Sequence, residues 1–242
     1  MKVCILLLIG FAFLDARTVS LPKNSPISVL SSIKTVDIKH HNEIATFDPR
    51  WVDSLSLSLP CYGVPVPKRT MRLPNAPRNY RNGTHKGLDF FANWGTPVRS
   101  VADGIVVRSD LHYEEVPADF RENLLKATTK VGHTPSDIFN SVLLGKSVFL
   151  DHGFDLIPGF RTISIYAHLS HIEKEIVPGA KVKRGELLGK SGNTGMREST
   201  IGSKAGSHLH WEMILQKGEQ EIYLGKGMSN PELYDMLFRI FN

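Results

Sequence analysis

The sequence predicts a mainly β protein, an antiparallel β-sheet domain with a helical insertion and a C-terminal helix. Three observations predict it. Short runs rich in β-branched and aromatic residues recur from Phe90 onward. Turn residues punctuate them, in a chain that holds 20 Gly and 14 Pro. Only two stretches carry a helical spacing of apolar residues.

The strand candidates follow in order. Residues 96–108 read as two short strands with Asp103-Gly104 as a hairpin turn between them. Residues 147–151 and 162–166 are further β-rich runs, and residues 181–183 and 186–188 flank a turn at Arg184-Gly185. Residues 209–215 form the last strand candidate. The first helix is expected over 118–130, with Phe120, Leu124 and Ala127 as its apolar stripe. It sits in an insertion at about 111–145. The second helix starts with Asn230 as cap and Pro231 as first residue, and buries Leu233, Met236, Leu237 and Ile240.

A chain of 242 residues with 41% hydrophobic content suits one globular domain with appendages. Lys2 precedes an apolar run over residues 3–14. That run falls short of the ~20 residues of a permanent span and matches the core of a secretory signal. Residues 1–20 are therefore expected to be a signal peptide, cut after Ala16 or Ser20, with an uncleaved anchor as the alternative. Residues 21–70, mixed and rich in Ser and Pro, read as an N-terminal accessory segment or linker. Residues 71–242 carry the chemistry. The expected destination is the periplasm, cell envelope or extracellular space.

The formal charge of +5 suits an anionic partner, but no Lys/Arg stripe with interleaved aromatics appears, which argues against nucleic acid. The two cysteines, Cys4 and Cys61, build neither a disulfide framework nor a thiolate zinc site. Any metal has to be held by histidines and carboxylates.

Ten histidines are available, and spacing selects among them. His208-Leu209-His210 on a strand puts both imidazoles on one face, about 6.6–6.8 Å apart at the Cα atoms, with Leu209 toward the core. His85 and Asp89 would stand about 13 Å apart on an extended chain, but Gly87 between them permits a bend that shortens the distance. His168 ends another strand candidate. Two neutral imidazoles and a carboxylate suit Zn²⁺ and leave a position open for water, whose pKa zinc lowers toward about 7. The surplus histidines, His168 and one of the His208/His210 pair, could move protons. Competing motifs fail. No His-Glu-x-x-His and no G-x-S-x-G occurs, and His171 with Glu175 lacks a second histidine. The stretch Gly185 to Ser191 is one residue short of a phosphate loop.

Three signatures in fixed order resemble the M23 metallopeptidases of the LytM/lysostaphin type. They are His85-x-x-x-Asp89 followed by residues 95–104; Tyr166-Ala-His168-Leu-Ser170; and Val177-x-Gly179 through Gly189-x-Ser-Gly-Asn-Thr-Gly195 to His208-Leu-His210-Trp-Glu212. They span roughly residues 80–215. The resemblance implies an antiparallel β domain of that type with a metal-bearing groove. It makes His85, Asp89 and His210 the ligands of one Zn²⁺, and His168 and His208 the catalytic pair. It also implies peptidoglycan cross-links or stem peptides as substrate. Glu212 would hold an imidazole or lie on the surface as a plain carboxylate. Two departures, the insertion at 111–145 and the long loop over 196–207 with Ser207 in place of a common proline, are expected to border the groove. The alternatives are a non-catalytic cell-wall binding module or activator of another hydrolase, and a peptidase for Gly-rich proteins outside the wall.

Overall fold

The computed structural model describes residues 46–241, within a compact unit over Glu43–Asn242. The expected signal at 1–20, Cys4, His40 and His41 lie outside the described residues. Among the described residues, no helix is long and apolar enough to cross a membrane.

Among the described residues twelve strands follow one another: β1 Pro77–Arg78, β2 Gly83–Thr84, β3 Leu88–Phe90, β4 Pro97–Arg99, β5 Gly104–Ser109, β6 Val148–Asp151, β7 Arg161–Ala167, β8 Leu169–Ile172, β9 Lys181–Val182, β10 Leu187–Ser191, β11 Leu209–Lys217 and β12 Gln220–Tyr223. The large sheet runs β12-β11-β7-β6-β5-β9, with β3 added on β11. A three-stranded sheet β4-β10-β8 and the pair β1-β2 complete the architecture. Every pairing is antiparallel, as the sequence predicts. Helix α1 spans Ala118–Val131 and helix α2 spans Glu232–Ile240.

Alternation along β11 organises the centre. Leu209, Trp211, Met213 and Leu215 are all fully buried on one face, in the main core. Trp211 and Phe90 each meet Phe241 edge to face, at 5.1 and 5.5 Å between ring centroids. The opposite face of β11 begins with His210 and Glu212, both buried, and continues with Ile214. Ile214 joins Ile165, Ala167 and Phe149 in a second cluster, closed by Leu125, Phe139, Leu143 and Leu144 of the insertion. The insertion thus covers the second face of the sheet up to the point where the polar residues begin.

Three expectations need correction. Asp103-Gly104 is no hairpin turn, because β4 and β5 belong to different sheets and do not pair. Its carboxylate instead accepts from Lys183 Nζ and the Arg184 N–H. The inward face of α1 is not the Phe120 stripe. Phe120 is 50% exposed and Ala127 is exposed, while Arg121 and Thr128 are buried. The helix covers a polar cleft as well as apolar surface, so hydrophobic periodicity misjudges its face. Asn230 does not cap α2, which begins after Pro231, and its amide donates to Thr70 Oγ1.

The described part of the segment set apart at 21–70 belongs to the core. Phe47, Val52, Leu55, Leu57, Cys61 and Val66 are buried in the main cluster, and the Leu57 N–H donates to the Ile240 carbonyl at 2.7 Å. We expect Leu57→Ala to cost about 2–5 kcal/mol in urea unfolding, the range of buried leucine truncations. An unchanged midpoint would show that this segment is a detachable appendage.

Candidate metal centre

Strand register builds the site. In the β3-β11 ladder Asp89 stands directly opposite His210, with Leu88 opposite Trp211 and Phe90 opposite Leu209. The flanking pairs point into the core, so Asp89 and His210 share the other face. Gly87 lets β3 lie so close. A Cβ there would run into the Trp211 carbonyl oxygen and Glu212 Cγ. The chain bends at Gly87, and His85 is pinned by its N–H to Ala76 O and by its carbonyl to Asn75 N–H, each 2.8 Å.

Three atoms then converge. His85 Nε2 lies 2.9 Å from Asp89 Oδ1 and 3.0 Å from His210 Nδ1, and His210 Nδ1 lies 2.9 Å from Asp89 Oδ1. Donors about 2.0–2.1 Å from a tetrahedral Zn²⁺ stand about 3.3–3.4 Å apart, a few tenths of an ångström wider than found here. The outer ring nitrogens are committed elsewhere. His85 Nδ1 donates to the Leu73 carbonyl at 2.8 Å and His210 Nε2 donates to Glu212 Oε1 at 2.8 Å. Each neutral ring is thereby held in the tautomer that turns a lone pair inward. A single cation draws these inward atoms together, a proton on His210 or a metal ion in its place. The donor set therefore fits a divalent metal with a preference for nitrogen and oxygen.

Electrostatics agree. Burial would raise the Asp89 carboxyl, but His85, His208 and His210 hold it well below the usual carboxylate range. Its second oxygen accepts from Arg78 Nη2 at 3.0 Å. Burial alone would lower His210. An acidic partner at each ring nitrogen, Asp89 and Glu212, instead raises it to about 9, so a metal ion has to displace a proton there. Burial would likewise raise Glu212, but His210 brings it below its ordinary value. Glu212 is 1% exposed, which excludes the surface reading of this residue.

His168 and His208 stand beside this group, with ring centroids 4.9 Å apart and His168 5.6 Å from His210. His168 follows β7 and occupies the left-handed region at φ 60°, a costly conformation for a side chain with a Cβ. Its N–H donates to Leu144 O and its Nδ1 to Thr194 O at 2.8 Å. Burial and the neighbouring His208 and His210 push its pKa well below the ordinary value, so the ring stays neutral. His208 Nδ1 donates to Gly206 O at 2.8 Å, and its Nε2 lies 3.5 Å from Asp89 Oδ1. All five residues singled out in the sequence line one cleft of about 470 Å³. The insertion and the 196–207 loop supply part of its walls through Arg121, Leu125, Phe139, Met196 and Arg197.

The sequence reading missed Arg78 and Leu73, and it quoted the loop at 193–195 as part of a signature without a role. Asn193 Nδ2 donates to the carbonyls of Ser203 and Ala205, which shapes the loop before His208. Gly195, at φ 77°, packs against the backbone of Val142 to Gly145, where a Cβ has no room.

A family model described as Peptidase family M23 matches residues 127–222. The match takes in His168, His208, His210 and Glu212 but not His85 or Asp89. The chain is 29% identical over 140 residues to the peptidoglycan DD-endopeptidase ShyA of Vibrio cholerae, covering 58% of this chain and 22% of that protein. It is 27% identical over 141 residues to an uncharacterized metalloprotease of Buchnera aphidicola, covering 58% and 26%. It spans about a quarter of the length of these curated relatives. Among solved structures it is similar to the catalytic domain of the antimicrobial peptidase lysostaphin from Staphylococcus simulans, at 21% identity and a TM-score of 0.36, covering 69% of this chain and 86% of that one.

If Glu212 fixes the His210 tautomer, Glu212→Ala lowers the affinity for Zn²⁺ by about 10–100-fold, read by competition with a chromogenic chelator. Unchanged affinity in a folded variant would mean that the carboxylate does not orient the ring.

Proposed function

We propose, from the membership of residues 127–222 in peptidase family M23, that the chain is an exported zinc endopeptidase cutting the cross-links or stem peptides of bacterial peptidoglycan. The observation that carries the proposal is the inward convergence of His85 Nε2, Asp89 Oδ1 and His210 Nδ1, with their outer ring nitrogens tied to Leu73 and Glu212. In this reading those three residues hold one Zn²⁺. The apolar run over residues 3–14 supports export, and the relative ShyA supports the substrate class.

Zinc, where bound, would supply positive charge that acidifies water and polarises the scissile carbonyl. The chain's own residues do the rest. His168 donates its Nδ1 proton to Thr194 O and keeps Nε2 as a lone pair. Held neutral by burial, it accepts a proton from the attacking water. The proton His168 takes up at Nε2 is the one returned to the leaving amine, and His208, oriented by Gly206 O, faces the same point and, when it also carries a proton at Nε2, donates to the oxygen that gains charge. Arg78 holds the outer oxygen of Asp89 and keeps the inner one turned to the centre. The cleft of about 470 Å³ beside these groups is room for a short length of peptide.

The full-length chain loaded with zinc is expected to release peptides from purified peptidoglycan, followed by mass spectrometry of the products. His168→Ala should lower kcat by about 10²–10⁴-fold with zinc content retained, whereas His210→Ala should lose metal and activity together. A zinc-loaded chain inert on every peptidoglycan type contradicts the proposal.

A further inference from the structure

The cleft beside the histidines carries charge that the chain itself leaves unbalanced. Four arginines line it, Arg78, Arg81, Arg121 and Arg197, against two carboxylates, Asp89 and Glu198. Asp89 already serves Arg78 and the converging imidazoles. Arg81 and Arg121 are the unusual pair, only 6% and 9% exposed. Guanidinium groups are seldom buried so deeply without a carboxylate partner. Among the described residues neither has a carboxylate oxygen within 4.0 Å. Glu115, which meets the same Gly195 that Arg121 contacts, is spent on the Gly195 N–H and the Tyr113 hydroxyl.

Both side chains are nevertheless built into place. Arg121 projects from the inward face of α1 and gives its Nε–H to Gly195 O at 2.9 Å. Arg81 lies over the Phe139 ring at 4.7 Å and gives one Nη to Thr84 O at 2.7 Å. These bonds to neutral carbonyls fix position without cancelling charge. A guanidinium cannot shed its proton to escape burial. Arg81 and Arg121 both line the cleft, where an anion can offset the cost of holding their charge there.

We propose that Arg81 and Arg121 form a carboxylate-binding subsite that selects peptides bearing a free carboxyl group beside the bond to be cut. The proposal rests on the reading of the cleft as a peptide site. Arg121 comes from the 111–145 insertion, so this selectivity belongs to the stretch in which the chain departs from the family pattern. Planar carboxylates match the forked donors of arginine, and an amide in the same place presents one acceptor and no charge.

The test uses one preparation of cross-linked muropeptides with free carboxyls and the same preparation with its carboxyls converted to amides. Binding is measured by titration into the zinc-loaded full-length chain carrying His168→Ala, so that the ligand survives. The free-carboxyl form is expected to bind about tenfold more tightly or better, and Arg121→Gln or Arg81→Gln should erase the difference. Equal binding of both forms to the chain with its arginines intact overturns the subsite and needs no arginine variant to fold. A preference that persists in both arginine variants overturns it as well. If the preference holds while the unsubstituted chain cuts neither preparation, the subsite stands and the peptidase reading falls. If both preparations are bound equally and cut with equal KM, the peptidase reading stands and the subsite falls.

Discussion

The mutual approach of two imidazole lone pairs and one carboxylate oxygen, each within 3.0 Å of the others, is the constraint around which the rest of the molecule is arranged. With neither a proton nor a metal ion among them these atoms would repel one another. They are held by the β3-β11 register, which sets Asp89 across from His210, and by the bend at Gly87, which returns His85 to the same point. That register is in turn secured by the apolar pairs on either side, Leu88 with Trp211 and Phe90 with Leu209. The hydrophobic core on one face of the sheet thus positions the polar cluster on the other.

Burying His85, His210 and Glu212, with His168, His208 and Asp89 half-buried beside them, is expensive unless every polar atom finds a partner. Here backbone carbonyls do most of this work. Leu73, Thr194 and Gly206 each accept from an outer ring nitrogen, and Glu212 takes the fourth. The insertion has two roles in the same region. Its apolar residues seal the sheet beyond Ile214, and Arg121 faces the cleft. The segment between β5 and β6 therefore supplies walls of the cleft without contributing to the converging triad.

Much of this was legible in the chain, for physical reasons that differ by residue. His208-Leu209-His210 follows the two-residue period of a strand, so a shared face could be read directly. The approach of His85 to Asp89 could only be allowed, since Gly87 permits a bend without requiring one. Which member of the histidine pair joins the triad came from resemblance rather than spacing, and the family match over 127–222 does not reach His85 or Asp89. Residues 46–70 fold as short 3-10 turns and irregular chain with no period to detect, so their place in the core was invisible. Asp103-Gly104 carries a hairpin signature, yet its flanking strands diverge into separate sheets, a long-range choice that local residues do not encode. Arg121 was hidden because a helix over a polar cleft need not turn its most apolar stripe inward.

The central claim is that His85, Asp89 and His210 close on a single metal ion. X-ray absorption at the zinc edge of the loaded full-length protein addresses it most directly. The account predicts two imidazole nitrogens and a carboxylate oxygen at about 2.0–2.2 Å, with the histidine outer-shell pattern reduced in His85→Ala and His210→Ala. A first shell containing sulfur from Cys61, or one made of water oxygens without imidazole scattering, would contradict it.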